Sequence, residues 1–505
     1  MEILNLLMGG FATALSLQNF LAAAVGAVLG ILVGAMPGIG SLAGIALLLP
    51  LTFKFNPITG IIMLSAIYYA NMYGGSYSAI LINIPGDTPA VMTGLDGHPL
   101  AKQGQPGKAL FTSNIASFIG GTIGIIILTV IGPGLARFGL RFGPVEMAAL
   151  LFVAMTSLGW LLGDNPTKGI VATLLGIILA TMGFDAVLGT PRFDFGSIYL
   201  LGGVPFIPLV IGIFGFSQVI EMMEKRNKSR EFDAEKLTLK ESLLNKDEVK
   251  RILPPAIRSS FLGTFIGVLP GAGATTGAFL SYMQEKKIGK NGHLLGTGRI
   301  EGVAAAESGN NSAAAGAFAP LLSLGIPGSG TGAVLLGGLM MYGLNPGPLL
   351  FQNQPEFTWG LIASLYIANI ITLIIAIMII PWLIKILKVP EGIMIPIITI
   401  ICIMGSYSAN NSLYGIFMMI VAGVIGFMMK KYGYPIAPLL LAFVLEPILE
   451  KNFRQALQIS DGSMAIFFQK PIAAVLIGFF LLTLVSPLIR RVIGKYKTKR
   501  ERSST

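Results

Sequence analysis

Residues 34–44 read GAMPGIGSLAG and residues 267–277 read GVLPGAGATTG, one Gly-x-x-Pro-Gly-x-Gly frame repeated 233 positions apart. Each copy is flanked by apolar runs on both sides. Proline interrupts the helical hydrogen-bond ladder and glycine admits unusual backbone angles, so each copy predicts a helix broken in the middle of an apolar segment. A new helix then starts with unpaired N–H groups and its positive dipole end facing the gap, which is a ready anion site. Gly38, Gly40 and Ser41 in the first copy, and Gly271, Gly273, Thr275 and Thr276 in the second, are the residues expected around such an anion. The plainer reading of either copy alone is a kink that lets helices pack through small residues. Neither copy continues into Gly-Lys-Ser/Thr, so a phosphate-binding P-loop is not supported.

Composition says what surrounds these breaks. Apolar residues make up 53% of the 505 residues, charged residues only 12%, and the mean hydropathy is +0.76. A soluble domain carries about 25% charged residues, so the chain is read as a polytopic, all-α membrane protein. Its 64 glycines and 29 prolines are too many for a bundle of regular spans and point to buried irregular backbone. A single cysteine excludes a disulfide framework or thiolate cluster, and the H-E-x-x-H zinc motif is absent.

Charge distribution sets the expected topology. No Asp, Glu, Lys or Arg occurs between Glu2 and Lys54, and a secretory signal would need a basic start, so the N-terminus is read as entering the bilayer directly. Further uncharged stretches run from Lys108 to Arg137, Glu307 to Glu356, Glu356 to Lys385, Glu391 to Lys430 and Lys470 to Arg490, giving about 10–12 membrane segments. Residues 221–260 instead hold ten Lys/Arg and eight Asp/Glu, and Arg490–Arg502 holds seven Lys/Arg against one Glu. Basic flanks stay in the cytoplasm, so the net charge of +11 reports topology and calls for no nucleic acid.

Beyond the opening motifs, Ile84-Pro85-Gly86-Asp87 corresponds to Ile326-Pro327-Gly328-Ser329, and Pro144, Asn165 and Gly169 correspond to Pro390, Asn411 and Gly415. Their shared order predicts two homologous repeats, residues 1–220 and 256–468. They are joined by a charged cytoplasmic connector, 221–255, and followed by an extra span, 469–490, and a basic tail, 491–505. An odd number of crossings in each would make the repeats inverted, as in secondary transporters whose paired broken helices mark the substrate site.

A second pair of segments, NMYGGSYSAILINIPGDTPA (71–90) and ESGNNSAAAGAFAPLLSLGIPGSGTGA (307–333), places a small polar stretch before about ten apolar residues and an Ile-Pro-Gly turn. The apolar piece is too short to cross a bilayer, so each segment predicts a re-entrant hairpin, with the two tips facing each other. Asp87 or Thr88 ahead of Pro89 reads as a helix N-cap. The candidate ligand groups here are Asn71, Gly74, Gly75, Ser76, Ser78, Pro85, Gly86, Asp87 and Thr88 in the first segment. In the second they are Asn310, Asn311, Ser312, Pro327, Gly328, Ser329 and Thr331. Their oxygens also suit Na⁺, expected near Asn83, Asn310 and Ser312. Asp87, Glu301 and Glu307 are the intramembrane acids to weigh, although Glu301 pairing with Arg299 at an interface is the blander account. His98 and His293 fall in polar stretches read as loops.

GAMPGIGSLAGIALLLPLTF (34–53), YYANMYGGSYSAILINIPGDTPAVMTGLDGHPLAKQGQPGKAL (68–110), GVLPGAGATTGAFLSY (267–282) and EGVAAAESGNNSAAAGAFAPLLSLGIPGSGTGAVLLGGLMMYGLNPGP (301–348) closely resemble the large membrane subunit of tripartite tricarboxylate transporters, the TctA family. The resemblance implies a permease of the bacterial inner membrane that imports citrate or another carboxylate on an ion gradient, with Na⁺ as a candidate coupling ion and no other cofactor. It also implies a small TctB-like membrane subunit and a periplasmic TctC-like solute-binding protein as partners. A channel or an ABC-type permease subunit for a small organic anion is the alternative. No enzymatic activity is expected, since an intramembrane protease would need a histidine inside a span or a pair of span-borne aspartates, and neither is recognisable.

Overall fold

The computed structural model describes residues 2–36, 39–161, 166–185, 189–224, 242–269, 271–383 and 391–482. It is overwhelmingly helical and divides into two compact units, Met1–Gly139 with Pro205–Met428 and Leu140–Val204 with Met429–Thr505. Each unit draws on both halves of the sequence. Among the described residues six helices are long and apolar enough to cross a membrane, and six shorter apolar helices of 10–17 residues accompany them. The chain is a multi-pass helical membrane protein.

The larger unit starts with α1 (Glu2–Ala14), α2 (Leu17–Ala35), α3 (Gly40–Thr52), α4 (Pro57–Ile82), α5 (Ala90–Lys102) and α6 (Pro106–Gly139). In the other unit, α7 (Pro144–Leu161), α8 (Pro166–Ala180) and a two-stranded hairpin pairing Gly183 with Arg192 follow. The larger unit resumes with α9 (Phe206–Glu224), which contains a π-turn at Ile211–Phe216, then α10 (Lys246–Val268) and α11 (Gly273–Ile288). It continues with α12 (Ile300–Gly316), α13 (Phe318–Leu324), α14 (Gly330–Met341), α15 (Pro355–Ile379), α16 (Glu391–Asn410) and α17 (Leu413–Lys431). The other unit closes with α18 (Ala437–Ile459) and α19 (Pro471–Leu482).

Two helices form the centre of the larger unit. Every residue of α4 from Thr59 to Leu81 is buried, as is every residue of α12. A helix buried on all sides needs no amphipathic stripe, so its sequence shows small and polar residues where a surface helix would show periodicity. What admits such close neighbours is glycine. A methyl group built at Gly26, Gly30 or Gly34 of α2 would lie 2.5–2.6 Å from the carbonyl oxygens of Met63, Ile67 and Asn71, so α2 and α4 touch backbone to backbone along a four-residue stripe. Gly263 and Gly267 of α10 meet the Gly309 and Ala313 carbonyls of α12 in the same way, and Gly120 of α6 meets Ser308.

The local construction around each break recurs. Met36 N–H donates to Val33 O and Ile39 N–H to Met36 O, while Leu269 N–H donates to Ile266 O and Ala272 N–H to Leu269 O. Gly40 and Gly273 then sit at φ +68° and +60°, angles that disfavour a side chain. The arms after the polar motifs are longer than the spacing predicts. Asn71–Ile82 is the C-terminal part of the unbroken 26-residue α4, started by Asn56, whose side chain accepts from Thr59 N–H at 2.9 Å, and by Pro57. In the second segment only Ala317 separates α12 from α13. The tips themselves are tight turns, with left-handed Asn83 (φ +54°) and Gly325 (φ +70°) ending α4 and α13.

The connector is partly helical. Residues 246–255 are the first turns of α10, whose N-terminus is a reciprocal capping box between Asn245 and Glu248. Burial pushes the Glu248 carboxyl up, but bonds from Lys108 and the Asn245 N–H and the Lys108 and Arg251 charges hold it below the ordinary carboxylate range. Glu301 pairs with Arg251 (2.9 and 3.1 Å), not with Arg299, because α10 lies alongside α12. The segment around His98 is α5, not a loop, and His98 Nδ1 lies 3.0 Å from Ile80 O. Asp96 on α5 is fully buried and accepts from Gly296, Gly298 and Arg299 N–H and from the Tyr282 hydroxyl, all at 2.8–2.9 Å.

In the smaller unit, Val145, Ala148 and Ala149 of α7 pack with Ala456 of α18 and with Ala473 and Ile477 of α19. Arg192 on the hairpin grips Glu450 bidentately (2.8 and 3.0 Å), and Arg454 bridges Glu450 and Asp185.

Gly30→Ala is expected to destabilise the protein by about 1–3 kcal/mol, because the new methyl overpacks the α2–α4 contact. Gly134→Ala, where no atom lies within 4 Å, is the neutral control. Thermal unfolding of the two variants in detergent checks the difference.

Candidate functional site

The breaks and tips come together around the N-termini of α3 and α11. Asp87, in the tip after α4, turns back onto α3. Its Oδ2 accepts from Ser41 N–H at 3.1 Å and its Oδ1 from Thr88 N–H at 2.7 Å. The sequence predicted that Asp87 or Thr88 would cap the helix that follows; instead Asp87 caps the broken helix 46 residues earlier, and α5 has no side-chain cap. The fold does this by seating Gly86 against the Gly34 carbonyl and Gly75, where a methyl group would collide. The positive end of α3 is thus met by the chain's own carboxylate.

The second half puts Ser329 at the equivalent place. The Cβ position of Gly273, at the start of α11, lies 3.3 Å from Ser329 Cβ. Ser329 Oγ accepts from Gly332 N–H at 3.1 Å and so caps its own helix, α14. Among the described residues no acid accompanies it. Thr275 and Thr276 on the first turn of α11 are partly exposed, as are Ser329 and Asp87. The two halves interlock here: Ser41 Oγ is 3.1 Å from Thr331 Oγ1, Tyr68 lies beside Ser329, and the Tyr68 and Phe318 rings are 5.9 Å apart. No Lys or Arg occurs from Phe55 to Leu95 or from Asn310 to Gln352, so the donors available here are backbone N–H groups and hydroxyls.

The remaining predicted residues lie elsewhere. Gly38 is outside the described residues, and Gly271 lies in the second break at φ +81°. Gly74 and Gly75 line the α2 contact and the seat of Gly86. Asn71 is buried against Gly44 with both amide atoms unpaired, and Ser78 Oγ is unpaired near Gly86. Pro327 and Gly328 are buried in the second tip. Ser76 faces α6, where its hydroxyl lies 2.7 Å from Ser113 Oγ. Asn83, Asn310 and Ser312 are not brought together: Asn83 is exposed on a tip beside Gly94, Asn310 lies beside Glu307, and Ser312 faces Gly263 of α10. Positions two apart on a helix are about 200° apart around it, so Asn310 and Ser312 present to different neighbours.

A second polar cluster surrounds Glu307. The residues that complete it, Thr93 on α5 and Ser117 on α6, were not singled out in the sequence. Their signal was available as a run of hydroxyls and amides, Thr112, Ser113, Asn114 and Ser117, inside the uncharged stretch from Lys108 to Arg137. Tyr73 and Tyr77 reach Asn369 and Asn114 from α4 at 2.6 and 2.8 Å.

The sequence has relatives among known proteins. Residues 20–441 match the model described as the tripartite tricarboxylate transporter TctA family. An Agrobacterium vitis protein described as an uncharacterized 52.8 kDa protein in the TAR-I ttuC' 3' region is 39% identical over 495 residues, 98% of each chain. A second Agrobacterium vitis protein, from the TAR-II ttuC' 3' region, is 40% identical over 233 residues, 46% of this chain and 96% of its own. No solved structure matches the chain.

Asp87→Asn keeps an acceptor for Ser41 N–H but removes the charge facing α3, and is expected to cost about 0.3–1 kcal/mol. Asp87→Ala, which leaves that N–H without a partner, is expected to cost more. The order of the two thermal midpoints is the check.

Proposed function

The chain belongs to the tripartite tricarboxylate transporter TctA family, and from that membership we propose that it is the permease subunit of a secondary active, binding-protein-dependent uptake system for tricarboxylates or related carboxylates. The family belongs to tripartite systems with TctB and TctC partners. In this reading a TctB-like subunit joins the chain in the bacterial inner membrane and a TctC-like protein delivers substrate from the periplasm. A Na⁺ or H⁺ gradient drives accumulation through alternating access, with the two repeats in inverted orientation.

The observation that carries the reading is the unequal dressing of the two broken helices. The α3 terminus is already met by Asp87, whereas the α11 terminus faces neutral Ser329 beside the partly exposed Thr275 and Thr276. A substrate carboxylate is attracted to the free end of α11 and repelled from the occupied end of α3. That gives a polycarboxylate one preferred orientation without any lysine or arginine. The Ser41–Thr331 contact couples the two ends, so binding at one is felt at the other.

The test is uptake of radiolabelled citrate and smaller carboxylates into proteoliposomes holding the chain with its small subunit and binding protein. Accumulation without ATP that collapses with the ion gradient is expected; single-channel current without accumulation would overturn the reading. Ser329→Asp preserves a good N-cap for α14 but adds the charge that α11 lacks. It is expected to weaken uptake about tenfold or more, equivalent to roughly 1.4 kcal/mol, while Ser329→Asn stays close to wild type.

A further inference from the structure

Glu307 sits on α12 with no accessible surface, and among the described residues no cation pairs with it. Its oxygens accept from Thr93 Oγ1 on α5 and from Ser117 Oγ on α6, the latter at 3.0 Å, and the Asn310 side chain on α12 is a third hydrogen-bond partner. Asn311 Nδ2 donates to that Ser117 oxygen at 2.7 Å and to the Glu307 carbonyl at 3.1 Å. Asn310 Oδ1 and Asn311 Oδ1 are buried and receive no hydrogen bond. The cluster therefore holds two unpaired acceptors, while both its hydroxyl donors are already used. A proton on the carboxyl group adds one donor to a cluster rich in acceptors. The two hydroxyls can follow it without moving a heavy atom, since each can donate to a carboxylate or accept from a carboxylic acid.

Packing favours a proton over a metal ion here. Gly120 of α6 is pressed onto the Ser308 carbonyl, and a methyl group at Gly124 would lie 2.8 Å from Ala315 Cβ and 3.0 Å from Ser312 O. A cation such as Na⁺ needs room inside a shell of oxygens, whereas a proton needs none.

Most other ionisable groups around Glu307 are engaged, the exception being the Tyr69 hydroxyl of α4, which is buried beside Gly121 of α6 without a hydrogen-bond partner among the described residues. From α4, the Tyr73 and Tyr77 hydroxyls donate to Asn369 and Asn114. From α5, Asp96 is saturated by three N–H groups and the Tyr282 hydroxyl of α11. From α10, Arg251 and Arg258 hold Glu301 and, on α11, Glu285. The ionisable group of α6 nearest its start, Lys108, is paired with Glu248.

We propose that Glu307 takes up and releases the coupling proton during transport, with Thr93 and Ser117 as its hydroxyl partners. The proposal rests on reading the chain as an ion-coupled carboxylate permease. A proton from water on one side forms the O–H bond at a Glu307 oxygen while the cluster is open to that side. The same bond breaks to water on the other side after the helices have moved. A bare carboxylate at bilayer depth is costly, so closing the helices over Glu307 favours the loaded state and links proton binding to conformation.

The experiment uses the full three-part complex in proteoliposomes, with two readouts: accumulation of labelled carboxylate under an imposed pH gradient, and exchange of labelled for unlabelled carboxylate with no gradient. Glu307→Gln imitates the protonated acid permanently. Accumulation is expected to fall to the level of protein-free vesicles, with exchange within about twofold of wild type. Glu307→Asp, which keeps a titratable carboxyl, is expected to restore part of the accumulation. Thr93→Val with Ser117→Ala forms a second arm, which moves the pH at which accumulation is half-maximal. Wild-type accumulation by Glu307→Gln overturns the proposal, as does wild-type uptake that follows Na⁺ and ignores pH. So does loss of exchange in Glu307→Gln at unchanged thermal stability, or no pH shift in the second arm. If wild-type vesicles neither exchange nor accumulate carboxylate, the permease reading fails. Glu307 is then judged by infrared spectroscopy of the purified protein, where a pH-dependent carboxylic C=O band must vanish in Glu307→Gln.

Discussion

A helix that breaks inside a membrane protein frees backbone N–H groups where no lipid can receive them, and the rest of this fold is arranged around that requirement. The break at Gly40 is met by Asp87, whose carboxylate accepts from Ser41 N–H. Asp87 reaches it because α4 ends at Asn83, turns through Gly86 against the Gly34 carbonyl, and returns at the level of the break. The glycine stripe of α2 and the all-round burial of α4 follow from the same demand, since the tip reaches the break only if the two helices touch through their backbones.

The second half solves the same problem with a different residue. Ser329 sits where Asp87 sits but turns its hydroxyl onto its own helix, so among the described residues the start of α11 is met by no acid. One broken helix is therefore self-neutralised and the other is not. Two nearly equivalent halves thus gain polarity from that single difference.

The helix breaks and the tip turns were legible because Pro-Gly-x-Gly and Ile-Pro-Gly act through local backbone sterics, and Gly40, Gly273 and Gly325 adopt the positive φ that such residues permit. Helix length after the polar motifs was not legible. Gly74, Gly75, Ser76 and Ser78 read as a polar stretch ahead of a short hairpin arm, yet they continue α4, because they pack directly onto the neighbouring helices. His98 looked like a loop residue for a related reason: the surrounding glycines and proline hide a helix that tertiary contacts impose.

From sequence alone came the membrane class, the doubled motifs, the charged connector and the family resemblance. These are properties of composition, order and local stereochemistry, which do not depend on partners distant in the chain. Only tertiary structure decided that Asp87 serves α3, that Ser329 faces α11, and that Thr93 and Ser117 close around Glu307 across separations of 46, 56, 214 and 190 residues. Polar residues in a membrane interior are defined by the partner they find, and helix packing chooses that partner.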